Sequence, residues 1–505
     1  MKKRFFLFAI AALLVSGPGA TAAVEYEGYT NPAGDKFPIA IFDNVPINAT
    51  KNGQPLTEAE QKAYFDDIKN CGFNVELWDK GCSLNYMPLM NKWTHYLKEL
   101  DMGIILNSQG YCLTRSSEPG DANTPYSVLL KDNWAALGNV MNNHRQNPDV
   151  WGFHVMDEPL PKNWDLPVYQ LKQDEVAAIP TFDMVNTNKG SKIAYANFAA
   201  AAAPSILGDF YTDDFKHPNP EIYVPNFENY LDHMVDIFDL KFLTFDLYPV
   251  ISNDAGCEPD WIIRSFYYNM MDLYGRYCRD KKIPVWLVML SVEHSYDGPG
   301  EDDDWSYPEI TEGLLRMQAM NGLAFGMKGL VYWRYGAQNK MSGNYFYKSA
   351  LYDINKMEKT PAWNAAKRVN YDVAQYGRVL QNATYDRSCI AVNDSVDGGY
   401  KYEGFERFSK SFYGITDVKH SGHAVLISHL TDGDCEYLAI VNQDHLNSQS
   451  IVAFIEHKYE PFWLTYPADA NGLGLIDIDK NLVKYETFTL GPGGMRLYVR
   501  NNKKN

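Results

Sequence analysis

Eight short apolar runs, each separated from the next by a stretch of helical spacing, constrain this chain more than any other feature. In order they are FPIAIFD (37–43), FNVELW (73–78), GIILNSQG (103–110), the run inside NPDVWGFHVMDEP (147–159), KIAYANF (192–198), FLTFDLYPV (242–250), IPVWLVML (283–290) and GLVYWRYG (329–336). The intervening segments read as helices; in TEAEQKAYFDDIKNCG, for example, Thr57 and Glu60 make a capping box. Strands and helices alternating in this way specify an α/β fold, a (β/α)8 TIM barrel over residues 24–381. A doubly wound sheet also alternates, but no glycine-rich phosphate loop follows the first strand. From Asn382 the texture changes. HAVLISHL, CEYLAIVNQ, QSIVAFIE and GMRLYVRN follow one another with turn residues between them and no helical period. That pattern predicts a small C-terminal antiparallel β-sandwich over 382–505.

The chain starts MKKRFFLFAIAALLVSGPGATAA: basic residues, a short apolar stretch, then small residues. This is the pattern of an export signal over residues 1–22, and it predicts a periplasmic or extracellular protein. No other segment approaches the ~18 uninterrupted apolar residues of a membrane span. A formal net charge of −17 argues against nucleic acid as a partner. Aromatics make up 14% of the chain, and their flat apolar faces with polar tips suit sugar rings. The 7 cysteines show no CxxC or His-paired metal spacing. Cys82 with Cys112, and Cys389 with Cys435, are candidate disulfides, with buried free thiols as the alternative reading.

In barrels of this kind chemistry gathers at the carboxyl ends of the strands. Those ends read Asp43 and Asn44, Trp78 and Asp79, Asn107 and Gln109, Asp157 and Glu158, Tyr195 and Asn197, Asp246 and Tyr248, Glu293 and His294, and finally Trp333, Arg334 and Tyr335. A ring so rich in amides, acids and aromatics predicts a carbohydrate pocket, with Asp157, Asn107, Trp78, Asn197, Asp246, Tyr248, Trp333 and Tyr335 as substrate-binding residues. Glu158 is the candidate proton donor, since a Glu between apolar walls has its pKa raised toward that task. A second carboxylate is needed as nucleophile or base. The tip of strand seven falls at Met289 and Leu290, neither able to serve, so Glu293 just beyond it leads, with Asp246 and the loop acids Glu301 and Asp302 to Asp304 as alternatives. His154 reads as a core histidine. No HExxH pattern and no GxSxG elbow occurs. Hydrolysis by two carboxylates requires no cofactor and no catalytic metal, although the GEDDDW loop (300–305) is a candidate Ca²⁺ site.

NPDVWGFHVMDEP and LTFDLYPV resemble the fourth- and sixth-strand ends of clan A glycoside hydrolases and related barrels of gut Bacteroidetes, and YPEITEGLLRMQAMNGLAFGMKGLVYWRYG resembles their seventh helix and eighth strand. The similarity is strongest to β-galactosidase-like and β-glucanase-like members. It implies that Glu158 is the acid/base, that Tyr248 hydrogen-bonds the nucleophile, and that Trp333 floors the subsite for the terminal sugar. Two departures stand out: Asp157 occupies a position usually held by Asn, and Met289 and Leu290 stand where the nucleophile closes strand seven. The expectation is an exported hydrolase of a neutral, β-linked glycan that retains configuration through Glu158 and Glu293. The competing expectation is a glycan-binding protein on a barrel that has lost turnover.

Overall fold

The computed structural model describes residues 26–43, 50–51, 54–78, 87–107, 142–157, 186–187, 189–199, 220–251, 262–263, 266–296, 306–337, 340–342, 345–348, 350–393, 402, 404–462, 476–477 and 483–502. Eight parallel strands close into a barrel: β1 (Ile39–Asp43), β2 (Val75–Trp78), β3 (Gly103–Asn107), β4 (Gly152–Asp157), β5 (Ile193–Ala199), β6 (Leu243–Asp246), β7 (Val285–Leu290) and β8 (Gly329–Trp333). They follow chain order around the ring, with β8 pairing back onto β1. Helices α1 (Glu58–Asn70), α2 (Met87–Glu99), α3 (Pro220–Phe238), α4 (Tyr267–Lys281), α5 (Glu312–Ala324) and α6 (Pro361–Leu380) belong to the outer layer. The Thr57–Glu60 capping box starts α1 as the sequence predicts.

Each barrel strand is buried on both faces, which is why the sequence shows runs rather than strict alternation. Ala40, Phe42, Val75, Leu77, Ile105, Tyr195, Val288 and Val331 fill the barrel interior. Their chain neighbours Ile39, Ile41, Ile104, Leu106, Ala194, Leu287, Leu330 and Tyr332 join the larger core that includes the helices. The amino-terminal end of the barrel is plugged by aromatics. Tyr29 meets Trp151 at 5.8 Å, and Trp151 stacks on Trp286 at 6.3 Å between ring centroids.

One irregularity matters for the site. The β4–β5 register slips between His154 and Met156, so β4 spends one residue more than β5. Residue 157, rather than 156, therefore pairs with Asn197.

Beyond α6 the chain forms a sandwich of two antiparallel sheets. One holds β9 (Thr384–Ala391), β11 (Val425–Thr431), β12 (Cys435–Asn442), β17 (Met495–Asn501) and β14 (Glu460–Phe462); the other holds β10 (Ile415–His420), β13 (Gln449–Glu456), β16 (Val483–Leu490) and β15 (Ile476–Asp477). Ile427, Leu438 and Ile440 face Ile451, Ile455 and Phe488 across the sandwich core. The opposite face of the first sheet, with Leu426, Leu430, Tyr437 and Leu497, joins the barrel core. An amide pair locks that contact: Asn321 of α5 and Gln443 exchange hydrogen bonds of 2.9 Å each, and Tyr268 of α4 donates to Gln443. A Cβ at Gly313 would lie 2.1 Å from the His445 carbonyl, so the helix and the sandwich approach as closely as glycine permits.

The candidate Cys389–Cys435 disulfide does not form. Both cysteines are buried and in no disulfide, as are Cys71 and Cys278. Strand β11 separates β9 from β12, and Cys389 faces the sandwich core while Cys435 faces the barrel. Cys82 and Cys112 lie outside the described residues, as does the candidate signal at 1–22. No helix among the described residues is long and apolar enough to cross a membrane.

Candidate active site

Strand alternation decides which tip residues reach the barrel mouth. On β6, Phe242 points into the barrel, so Thr244 and Asp246 continue that face while Leu243 and Phe245 join the outer core. On β5 the inward series runs Ile193, Tyr195, Asn197. These two strands meet in a hydrogen-bonded chain. Thr244 Oγ1 donates to Asn197 Oδ1 at 2.6 Å, which turns the Asn197 amide so that Nδ2 donates to Asp246 Oδ1 at 2.8 Å. Tyr248 OH donates to the other oxygen, Oδ2, at 3.3 Å. The Asp246 carboxylate is thus oriented on both oxygens by neutral donors and is half-buried.

Around it lie rings. His154 is buried and stacks on Tyr195 at 4.8 Å, as the core reading of that histidine predicts. Phe42 meets His154 edge-on at 5.7 Å and Trp333 at 5.0 Å. Trp333 keeps part of its ring open, and its peptide bond to Arg334 is cis. Tyr248 packs edge-on against Tyr307 at 5.2 Å, and His294 stacks on Tyr347 at 5.1 Å.

Glu293 lies just beyond the end of β7, next to His294. Strand β7 ends at Leu290, which pairs with Trp333, and Ser291 then hydrogen-bonds the Trp333 carbonyl. The chain continues into a small antiparallel sheet in which residues 294–296 lie between 306–307 and 345–347. On that rim the Glu293 carboxylate is ion-paired with Lys348.

Trp78 and Tyr335 are not in the mouth. Leu77 points inward, so Trp78 points outward, where it is fully buried and donates through Nε1 to Glu76 Oε1 at 2.6 Å. Tyr335 packs against Tyr64 and Tyr352 in the same outer layer and accepts from Trp363 Nε1. Counting strand ends without tracking their parity assigned both to the substrate. Asp43 shares that outer layer, where Tyr64 donates to it. Asn107 and Asp157 are described as backbone only; Asn107 pairs with His154 in register. Glu158, Glu301 and Asp302 to Asp304 lie outside the described residues. Among the described residues, no group of three or more His, Cys, Asp or Glu side chains is placed to hold a metal.

Sequence reasoning passed over Glu76, although an acid inside the apolar run VELW is the signal that would have found it. Burial, reinforced by the Asp43 carboxylate beside it and by a hydrogen bond with Asp43, lifts the Glu76 carboxyl well above the ordinary range. Asp43 and Glu76 together therefore hold a proton that the unfolded chain releases. A raised folded-state pKa contributes stability that is complete below about pH 4.3 and is lost as pH rises toward the folded value. Thermal melts should show stability falling across that window by up to about 1.4 kcal/mol per pH unit. Glu76→Gln, whose amide oxygen still accepts from Trp78, should flatten the slope. An unchanged slope in the variant would place the proton elsewhere.

The closed parallel ring and its polar, aromatic-walled mouth make this chain a (β/α)8-barrel protein with an appended β-sandwich. Neither a protein-family model nor a curated protein sequence matches it. Among solved structures it is similar to a putative alpha-galactosidase from Bacteroides fragilis NCTC 9343, at 11% identity and a TM-score of 0.44, over 93% of this chain and 80% of that one. It is also similar to a family 39 glycoside hydrolase from Bacteroides cellulosilyticus WH2, at 12% identity and a TM-score of 0.42, over 94% and 82%. Xylanase 10B from Thermotoga maritima aligns at 12% identity and a TM-score of 0.41, over 68% and 96%.

Proposed function

We propose that the chain is a glycoside hydrolase that cleaves a neutral, β-linked glycan with two carboxylates and no cofactor. One observation carries the reading: a carboxylate at the barrel mouth, Asp246, aimed by Asn197 and Tyr248, the latter packed on Tyr307. Glu158, the residue after the end of β4, donates the proton to the leaving oxygen. Asp246 is its partner, in place of Glu293, because Asp246 lies in the mouth while Glu293 is engaged by Lys348 on the rim. Strands β4 and β6 flank β5, so their backbones stand roughly 10 Å apart at ~4.8 Å per strand spacing. Asp246 is assigned the base of an inverting pair, whose carboxyl groups stand ~6.5–9.5 Å apart with the attacking water between them. Residues 1–22 would direct the protein to the periplasm or the exterior, as their basic start and apolar run support.

The leucine at the tip of β7 favours a second reading, a barrel that binds glycan without turnover. Incubation with a panel of β-linked oligosaccharides, followed by carbohydrate chromatography and NMR of the first product, separates the two. The hydrolase reading requires shorter products whose new reducing end has inverted configuration. Calorimetric binding with no product at high protein concentration would establish the second reading, and a retained anomer would return the partner role to another acid.

A further inference from the structure

We infer that the face of the barrel opposite the mouth carries a binding site for a small oxyanion. A cavity of about 270 Å³ opens there, bordered by Tyr26, Cys278, Arg279, Lys282, Lys328 and Thr384. It lies at the amino-terminal ends of the strands: Lys328 immediately precedes β8, Cys278 and Lys282 end α4 ahead of β7, and Thr384 begins β9.

Lys328 is the observation that needs an explanation. It is buried, and its ammonium donates to one acceptor among the described residues, the carbonyl of Ala383. An ammonium has three donors, and removing it from water without a counter-charge is costly. Arg279 cannot be the reason for the cavity, because its guanidinium is committed to Asp280 and to the carbonyls of Tyr385 and Asp386. Lys282, exposed at the rim, forms no ion pair among the described residues, so it adds uncompensated positive charge. In a chain of net charge −17 this is an unusual place to collect cations.

A phosphate, sulfate or carboxylate group seated in the cavity supplies what Lys328 lacks. The ammonium gains a charge-assisted hydrogen bond, the hydroxyls of Tyr26 and Thr384 offer neutral donors, and Lys282 draws the anion in from solvent. The inference is independent of the glycosidase reading, since none of these residues belongs to the mouth.

The test is calorimetric titration of the full chain with inorganic phosphate and, in a second arm, acetate, each at constant ionic strength against a chloride control. Saturable binding of either anion is expected, the arms distinguishing a tetrahedral from a planar oxyanion. Lys328→Met should weaken it at least about tenfold, the loss of one hydrogen bond to a charged partner, with glycan turnover unchanged. If Lys328→Met does not fold, Lys282→Ala decides, with a several-fold loss expected. No saturable binding of either anion, or wild-type affinity in the variant that folds, overturns the inference.

Discussion

Glu158→Gln lowers kcat on a natural glycan by about 10²–10⁴-fold, the usual contribution of a positioned general acid. The amide keeps the size of the side chain and its hydrogen-bond acceptance but has no proton to release. An aryl glycoside, whose leaving group departs with little protonation, therefore loses far less. The ratio of the two losses, measured under steady-state conditions, is the diagnostic. Glycan affinity by calorimetry and the melting temperature should both stay near wild type, because Gln matches Glu in size and hydrogen-bond acceptance. Wild-type hydrolysis of the natural glycan by the variant would reduce Glu158 to a turn acid.

Asp246→Asn is the second large effect. The amide fits the space between Asn197 and Tyr248 but cannot take a proton from an attacking water, so kcat should again fall by about 10²–10⁴-fold. Glu293→Gln provides the contrast. It breaks a rim ion pair with the largely exposed Lys348, a loss of under ~1 kcal/mol in stability, and its effect on kcat should be far smaller than that of Asp246→Asn. The reverse order of losses would make the segment after β7 the source of the second carboxylate and leave Asp246 as a substrate ligand.

The two acids illustrate what counting along strands does and does not reveal. Asp246 and Asn197 are legible as tip residues, and strict alternation from the apolar residues before them puts both on the inward face. Trp78 is equally legible as a tip residue, yet one step of parity carries it to the outer layer, where it satisfies Glu76. The β4 slip at His154 and Met156 is the harder case. Nothing in GFHVMD announces the extra residue, because a bulge is set by how two strands pair rather than by either strand alone. For Glu293 the sequence shows two residues between it and Leu290; that this short span turns onto a rim sheet toward Lys348 depends on pairing with residues about fifty positions later.

Local patterning alone therefore determined the architecture: runs buried on both faces, helices between them, and a change to turn-punctuated strands after Asn382. These features repeat at short range, and burying each apolar face leaves few arrangements of layers. Tertiary structure decided the rest. It aimed the Asp246 carboxylate with Asn197 and Tyr248 and paired Glu293 with Lys348, kept Cys389 and Cys435 apart on opposite faces of one sheet, paired Asp43 with Glu76, and gathered Lys282 and Lys328 around a cavity. Each of these joins residues distant in the chain through side-chain direction and inter-strand register, which shift by a whole face with a single residue of slip.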